Sequence, residues 1–76
     1  MNAARRKETN RIKDAIDALK QDVVTLQDAE QEAFDSLPES FQAGEKGDKA
    51  QTAINALEQV VSSFEEIESS LDEAAE

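Results

Sequence analysis

Two glutamates, one in each half of the chain, have the spacing at which helical side chains face a core. Glu30 and Glu68 each continue an apolar pattern with steps of four and three residues. Paired carboxylates in a four-helix bundle can hold two metal ions, but such centres also use Glu-x-x-His pairs, and the chain has no His. We therefore interpret both glutamates as register-setting or rim residues whose carboxylates reach toward Lys13, Lys20 or Lys49. No metal or other cofactor is expected.

Other residue types that could do chemistry lack the partners that the chemistry needs. The absence of Cys and His excludes thiol nucleophiles, disulfides and the usual general base near neutral pH. The glycine- and lysine-containing segment 44–49 has neither Walker spacing nor a preceding strand. The serine pairs 62–63 and 69–70 have no base beside them. The sequence therefore predicts a protein that is not an enzyme.

Two amphipathic helices must carry these residues. Their apolar spacing is that of a helix wound at about 3.5 residues per turn. In the first half the stripe consists of Ile12, Ile16, Leu19, Val23, Leu26, Glu30, Ala33 and Leu37. In the second half it consists of Ala50, Ile54, Leu57, Val61, Phe64, Glu68, Leu71 and Ala75. Two such stripes joined by a short connection predict an all-α antiparallel two-helix coiled-coil hairpin.

The expected organisation is a single helical-hairpin domain over residues 1–76. We predict a first helix over 3–35, a connection over 36–47 and a second helix over 48–74. A short helical turn inside the connection, from Leu37 to Ala43, is expected to fold Phe41 and Leu37 back to close the end of the hairpin.

Turn residues determine these bounds. Pro38 cannot continue the first helix, because it lacks an N–H and its ring clashes with the preceding turn. Ser36 and Glu39 have the spacing of a capping box, which favours the short helical turn. Gly44 can adopt the left-handed conformation that stops this turn. Asp48 is then a favourable N-cap for the second helix.

Charge is distributed unevenly along the chain, whose formal net charge is −10. Residues 1–13 hold five basic residues and one acid, whereas residues 50–76 hold no basic residue. An antiparallel hairpin brings the basic segment 5–7 beside the acidic segment 72–76. This attraction is worth only ~0.2–1 kcal/mol per exposed pair. It therefore favours the antiparallel arrangement, and the short connection decides it.

Composition also limits location and partners. No apolar run approaches the ~20 residues that span a bilayer. The basic segment 1–13 is not followed by the apolar stretch of a secretory signal. We therefore expect a cytoplasmic protein without membrane contact. Direct nucleic-acid binding is not expected, because only this segment is basic and no aromatic platform accompanies it.

A second apolar row flanks the stripe of the second helix. It consists of Ala53, Val60, Ile67 and Ala74. Together with the stripe it makes a face wider than a two-helix seam requires. We therefore predict a homodimer that forms a four-helix bundle. In the alternative, this row covers Phe34 and Val24 within one hairpin.

An acidic row follows the other flank of the same helix. Glu58, Glu65 and Asp72 recur every seven residues, and Glu66 and Glu73 lie beside them. These five residues predict a surface that binds a basic partner protein, for example the nucleic-acid groove of another protein. In the alternative, the acids only keep the coiled coil soluble. The chain would then be a structural assembly module that self-associates.

Several segments carry a resemblance to a known group of proteins. They are MNAARRKE at 1–8, EQEAFDSLPES at 30–40, and GEK at 44–46 with AINALE at 53–58. These segments are similar to a group of small acidic proteins encoded by bacteriophages and prophages, and the resemblance covers most of the chain. It implies a bacterial host cell, in which such a protein binds and inhibits a host factor such as CRISPR or restriction machinery. It implies no catalytic or cofactor-binding residue.

Overall fold

The computed structural model describes residues 1–76, and the chain is all-helical. Helix α1 spans Ala3–Asp35, helix α2 spans Glu39–Gln42 and helix α3 spans Glu45–Ala74. The molecule is extended, with Cα dimensions of 58 × 15 × 11 Å, because α1 and α3 pack side by side along their lengths. The predicted all-α class is therefore confirmed.

Helix α1 can run for 33 residues because it contains neither Gly nor Pro. At its start, Asn2 Oδ1 accepts a hydrogen bond of 2.9 Å from the backbone N–H of Arg5, which caps the helix. At its end, the Ser36 hydroxyl donates to the backbone carbonyl of Glu32 at 2.8 Å. The predicted capping box between Ser36 and Glu39 is wrong, because the hydroxyl bonds backward to α1 and α2 has no side-chain cap.

Helix α3 begins at Glu45, three residues before the predicted start at 48. The predicted left-handed conformation at Gly44 is wrong, because this residue is the extended N-cap of α3 with φ of −102°. The predicted N-cap Asp48 lies inside the first turn instead. The second glycine, Gly47, permits a close approach, since a Cβ there would lie 1.8 Å from the backbone oxygen of Gln42. The elbow, residues 36–44, thus reverses the chain without any positive φ.

Helix α2 closes the elbow through a polar side chain. Gln42 Nε2 donates to the carbonyl oxygen of Phe34 at 3.1 Å and to that of Leu37 at 3.2 Å. One carbonyl in the last turn of α1 and one just beyond the helix thus gain a hydrogen-bond donor. Phe41 stays 47% exposed, and the Lys46 ammonium lies 5.0 Å from its ring centroid. The predicted folding-back of Phe41 onto the hairpin end is therefore wrong.

The seam between α1 and α3 uses the predicted stripe of α3 but a different stripe of α1. All eight predicted stripe positions of α3 are buried or half-buried. On α1, in contrast, Ile12, Leu19 and Leu26 are 37%, 53% and 51% exposed. The α1 positions that turn toward α3 are Thr9, Lys13, Ile16, Lys20, Val23, Gln27, Glu30, Phe34 and Leu37.

Two overlapping patterns in α1 explain this difference. Ile16, Val23, Glu30 and Leu37 belong to both, so the helix can face α3 on either side of their row. In the structure, α1 faces α3 with the side that carries Phe34, a large apolar residue near the elbow. The same side carries Lys13 and Lys20, whose ammonium groups bind carboxylates of α3. Packing of Phe34 and the two ion pairs across the seam are thus both consistent with the observed rotation of α1.

Candidate interaction surfaces

The hairpin presents surfaces rather than an enclosed site. It contains no cavity, and only Thr9, Gly47 and Ile54 are buried. Nowhere do three or more acidic side chains converge in a way that could hold a metal ion. No helix has both the length and the apolar character to cross a membrane. The candidate functional groups therefore lie on the outer faces of α1 and α3.

Glu68 and Lys20 form an ion pair inside the seam. The Lys20 Nζ lies 3.1 Å from Oε1 and 3.3 Å from Oε2 of Glu68, and the two side chains are 18% and 19% exposed. Lys20 also lies 3.4 Å from Asp17. The predicted lysine partner for Glu68 is confirmed. Glu30 is half-buried and makes no ion pair.

A second pair, between Lys13 and Asp72, joins the other end of the hairpin. Arg6 Nε donates to the backbone carbonyl of Ala75 at 3.0 Å. These contacts join the beginning of α1 to the end of α3, so the two helices are antiparallel. The basic segment 5–7 makes no ion pair, because Arg6 binds a backbone oxygen rather than a carboxylate.

These ion pairs predict a fall in stability at alkaline pH. Hydrogen bonds to Asp72 and Glu68 raise the pKa values of Lys13 and Lys20 above the ordinary lysine value of 10.5. A raised lysine pKa stabilises the folded state fully below the unfolded value, and this contribution is lost as pH rises through the folded value. The chain has neither Cys nor Tyr, so lysines are the side chains that titrate in this range. We expect the urea midpoint, followed by circular dichroism, to fall above pH 10.5.

The double variant Lys13→Met/Lys20→Met should lose most of this alkaline fall, although its stability at neutral pH will be lower. The matched control is Lys49→Met, because the pair between Lys49 and Glu45 has a distance of 3.3 Å but its side chains are 77% and 84% exposed. That control should keep the fall. An undiminished fall in the double variant would contradict the assignment.

The acidic edge, which we define as Glu58, Glu65, Glu66 and Glu73, lies exposed on α3. None of these four side chains makes an ion pair. The fifth predicted residue, Asp72, is also exposed but binds Lys13. Residues 50–76 contain neither Lys nor Arg, so no neighbouring side chain of α3 can neutralise the acidic edge.

The row that contains Glu58 and Glu65 of the acidic edge borders one side of the seam. In an antiparallel pair, a local two-fold axis relates the helices, so equivalent rows beside the seam face each other. The row of Glu58, Glu65 and Asp72 directly follows seam residues of α3. It therefore meets the α1 row that directly follows seam residues there. That row contains no cation and consists of Asn10, Asp17, Val24 and Gln31.

The opposite side of the hairpin is apolar. The apolar face, which we define by two rows that directly precede seam residues, consists of Ile12, Leu19, Leu26 and Ala33 of α1 with Ala53, Val60, Ile67 and Ala74 of α3. Val60 and Ile67 are 39% and 44% exposed. Ala53, Phe34 and Val24 are half-buried, whereas Val60, Ile67 and Ala74 of the α3 row stay exposed beside exposed side chains of α1.

Sequence reasoning placed Ile12, Leu19 and Leu26 in the seam and so missed them as surface residues. The signal that identifies them is their own seven-residue spacing. Each directly precedes a residue of the observed α1 seam, namely Lys13, Lys20 and Gln27.

Comparison with known proteins adds no relative. A scan against protein-family models, a search of curated proteins and a search of solved structures each found no match to this chain. The acidic edge and the apolar face are therefore the basis on which a function is proposed.

Proposed function

We propose that the chain is a non-enzymatic protein-interaction module whose acidic edge binds a basic surface of another protein. The observation that supports this most directly is the exposed, unpaired state of Glu58, Glu65, Glu66 and Glu73. Exposed carboxylates on a rigid helix attract a basic partner and orient it during association. Because the attraction acts between exposed charges, it is screened by salt.

The charge density favours a basic protein surface over strict imitation of DNA. A net charge of −10 along 58 Å gives one charge per about 6 Å, whereas duplex DNA carries one per ~1.7 Å. Glu58 and Glu65 stand two helical turns apart, about 10 Å along the axis. A basic groove that binds nucleic acid is one surface with cations at such intervals.

The sequence resemblance supports an inhibitory role for this binding. Segment 30–40 is the most specific part of the similarity to small acidic phage proteins. In that setting the partner is a protein of the bacterial host, and the proposed location is the host cytoplasm. Nucleic-acid-binding defence proteins, including CRISPR and restriction machinery, have the basic surfaces that the acidic edge requires.

Charge reversal at the acidic edge tests this function. We expect the double variant Glu58→Lys/Glu65→Lys to lose at least about tenfold in capture of a bacterial partner, since each exposed pair contributes ~0.2–1 kcal/mol and reversal adds repulsion. Capture from a bacterial lysate, at low and at high salt, measures the effect. Captured proteins should also leave the wild-type chain at high salt.

The matched control reverses two acids on α1. Asp28 and Glu32 are exposed and make no ion pair, so Asp28→Lys/Glu32→Lys changes the net charge equally. This control should retain capture, and circular dichroism should show equal helicity in all three proteins. Asp72 is left intact, because its reversal would place a lysine against Lys13. Equal loss of capture in both variants would contradict a role for the acidic edge.

A second candidate function is a structural module that self-associates, in which the acids only maintain solubility. The exposure of Leu19 and Ile67 on one side of the hairpin favours it. The two candidates depend on different residues, since Glu58 and Glu65 lie across the α3 seam from the apolar face, although Glu66 and Glu73 directly precede its Ile67 and Ala74. They are therefore separable by variants of one set of residues at a time.

A further inference from the structure

We propose that the apolar face binds the apolar face of a second copy of this chain, forming a four-helix bundle with both elbows at the same end. In this arrangement each α1 packs against the partner's α3. The inference deepens the second candidate function and does not require that the acidic edge bind a partner protein.

The apolar face is continuous across both helices. Leu19 directly precedes Lys20, and Ile67 directly precedes Glu68. Because Lys20 and Glu68 are in contact at 3.1 Å, Leu19 and Ile67 lie within about one helical turn of the same level. The two rows therefore form one strip along the hairpin rather than two separate patches.

Small residues extend this strip into a second coiled-coil seam. With steps of three and four, α1 continues as Ile12, Ala15, Leu19, Asp22, Leu26, Ala29 and Ala33. With the same steps, α3 continues as Ala53, Ala56, Val60, Ser63, Ile67, Ser70 and Ala74. Small side chains beside large ones let two helices approach closely and interlock. Asp22 is the single charged residue in either series.

A second copy supplies the core that one hairpin lacks. Ile54 is the only buried hydrophobic residue, at 5% exposure. One side of the hairpin, 58 by 15 Å between Cα atoms, has room for the ~800 Å² that each partner contributes to a standard protein interface. An identical face is also self-complementary under two-fold symmetry. Burial by the partner would cover the two most exposed large apolar side chains, Leu19 and Leu26, together with Ile67.

Charge selects the arrangement with both elbows at one end. Helix α3 carries eight acids and two lysines, a net −6, whereas α1 carries eight acids and six bases, a net −2. Elbows at opposite ends would place α3 against the partner's α3. Elbows at the same end place each α3 between two α1 helices, which lowers the repulsion.

Residue levels lead to the same choice. With the elbows at opposite ends, Asp22 would stack on the partner's Asp22 near the two-fold axis. With the elbows at the same end, the two-fold axis runs along the hairpin. Each residue of the partner then has the same position along this axis as its counterpart. Asp22 then meets the partner's Ser63, and Arg11 lies level with the partner's Glu73. One like-charge contact is replaced by a polar contact and an attractive pair.

Engineered disulfides test the arrangement, and the chain's lack of Cys makes them specific. The double variant Asp22→Cys/Ser63→Cys should oxidise to a covalent dimer. Within one hairpin the two positions lie on outer sides of different helices, too far apart for a disulfide. Neither single variant should cross-link. A covalent dimer from Asp22→Cys alone, or none from the double variant, would overturn the proposal.

Mass in solution tests the interface itself. Sedimentation equilibrium of the wild-type chain should give twice the chain mass of 8.3 kDa. Leu19→Glu should weaken the dimer at least about 100-fold, because the change buries a carboxylate without a partner. The control Phe41→Glu changes an equally exposed apolar residue outside the face, at 47% against 53% exposure, and should stay dimeric. A wild-type monomer or tetramer at micromolar concentration would overturn the proposal.

Discussion

Replacement of Gly47 by alanine will lower the free energy of unfolding by about 2–3 kcal/mol. In an ordinary helix the same change is stabilising by about 1 kcal/mol, so the expected sign is itself informative. The reason is the 1.8 Å that would separate the new Cβ from the backbone oxygen of Gln42, since neither backbone segment can rotate away as a side chain would. Urea unfolding followed by circular dichroism measures the change.

The second glycine of the elbow region provides the control. A Cβ at Gly44 would lie 3.4 Å from the backbone oxygen of Ser40, an ordinary contact. Gly44→Ala should therefore change the stability by less than about 1 kcal/mol. If Gly47→Ala were as stable as the wild type, the close packing of α3 on α2 would be disproved.

Replacement of Ile54 by alanine is expected to have the largest effect on stability, about 2–5 kcal/mol. Ile54 is the only buried hydrophobic residue, at 5% exposure, so alanine removes the most completely covered apolar side chain of the hairpin. The graded control Ile54→Val removes one methylene and should cost about 0.5–1.5 kcal/mol. Thermal and urea unfolding should rank the proteins in this order. Equal losses for both variants would contradict a packing origin.

The sequence predicted the seam of α3 better than that of α1. On α3 the predicted stripe from Ala50 to Ala75 is buried or half-buried throughout, although the exposed row with Val60 and Ile67 lies beside it. On α1 two patterns share Ile16 and Val23, and a periodicity cannot choose between them. The observed rotation brings Lys20 to Glu68, a contact between residues 48 apart in sequence. A local pattern contains no information about such a contact.

The elbow shows a different limit of sequence reasoning. A glycine after a short helical turn predicts a helix stop, but Gly44 is the N-cap of α3 in an extended conformation. Gly47 serves a close approach, and no local signal distinguishes that use from a flexible loop. The role of Gln42 also depends on where the end of α1 lies in space. Both features require the packed arrangement of all three helices.

The candidate surfaces were predicted in part. The seven-residue spacing located Glu58 and Glu65 on one row, and they are exposed together. The spacing did not reveal that Asp72 is bound by Lys13, because that pair joins opposite ends of the chain. The α3 half of the apolar face was also identifiable from spacing. Its α1 half emerged only when the rotation of α1 was known.

The cation-free stretch of α3 has a practical consequence for mapping contacts by proteolysis. Trypsin cleaves after Lys and Arg, so it releases residues 50–76 as one peptide, while α1 contains six cleavage sites. That single peptide holds the whole acidic edge and the α3 half of the apolar face. Carboxylate labelling followed by mass spectrometry would thus report protection of α3 separately from protection of α1. Amine-directed reagents, in contrast, leave this peptide unmodified.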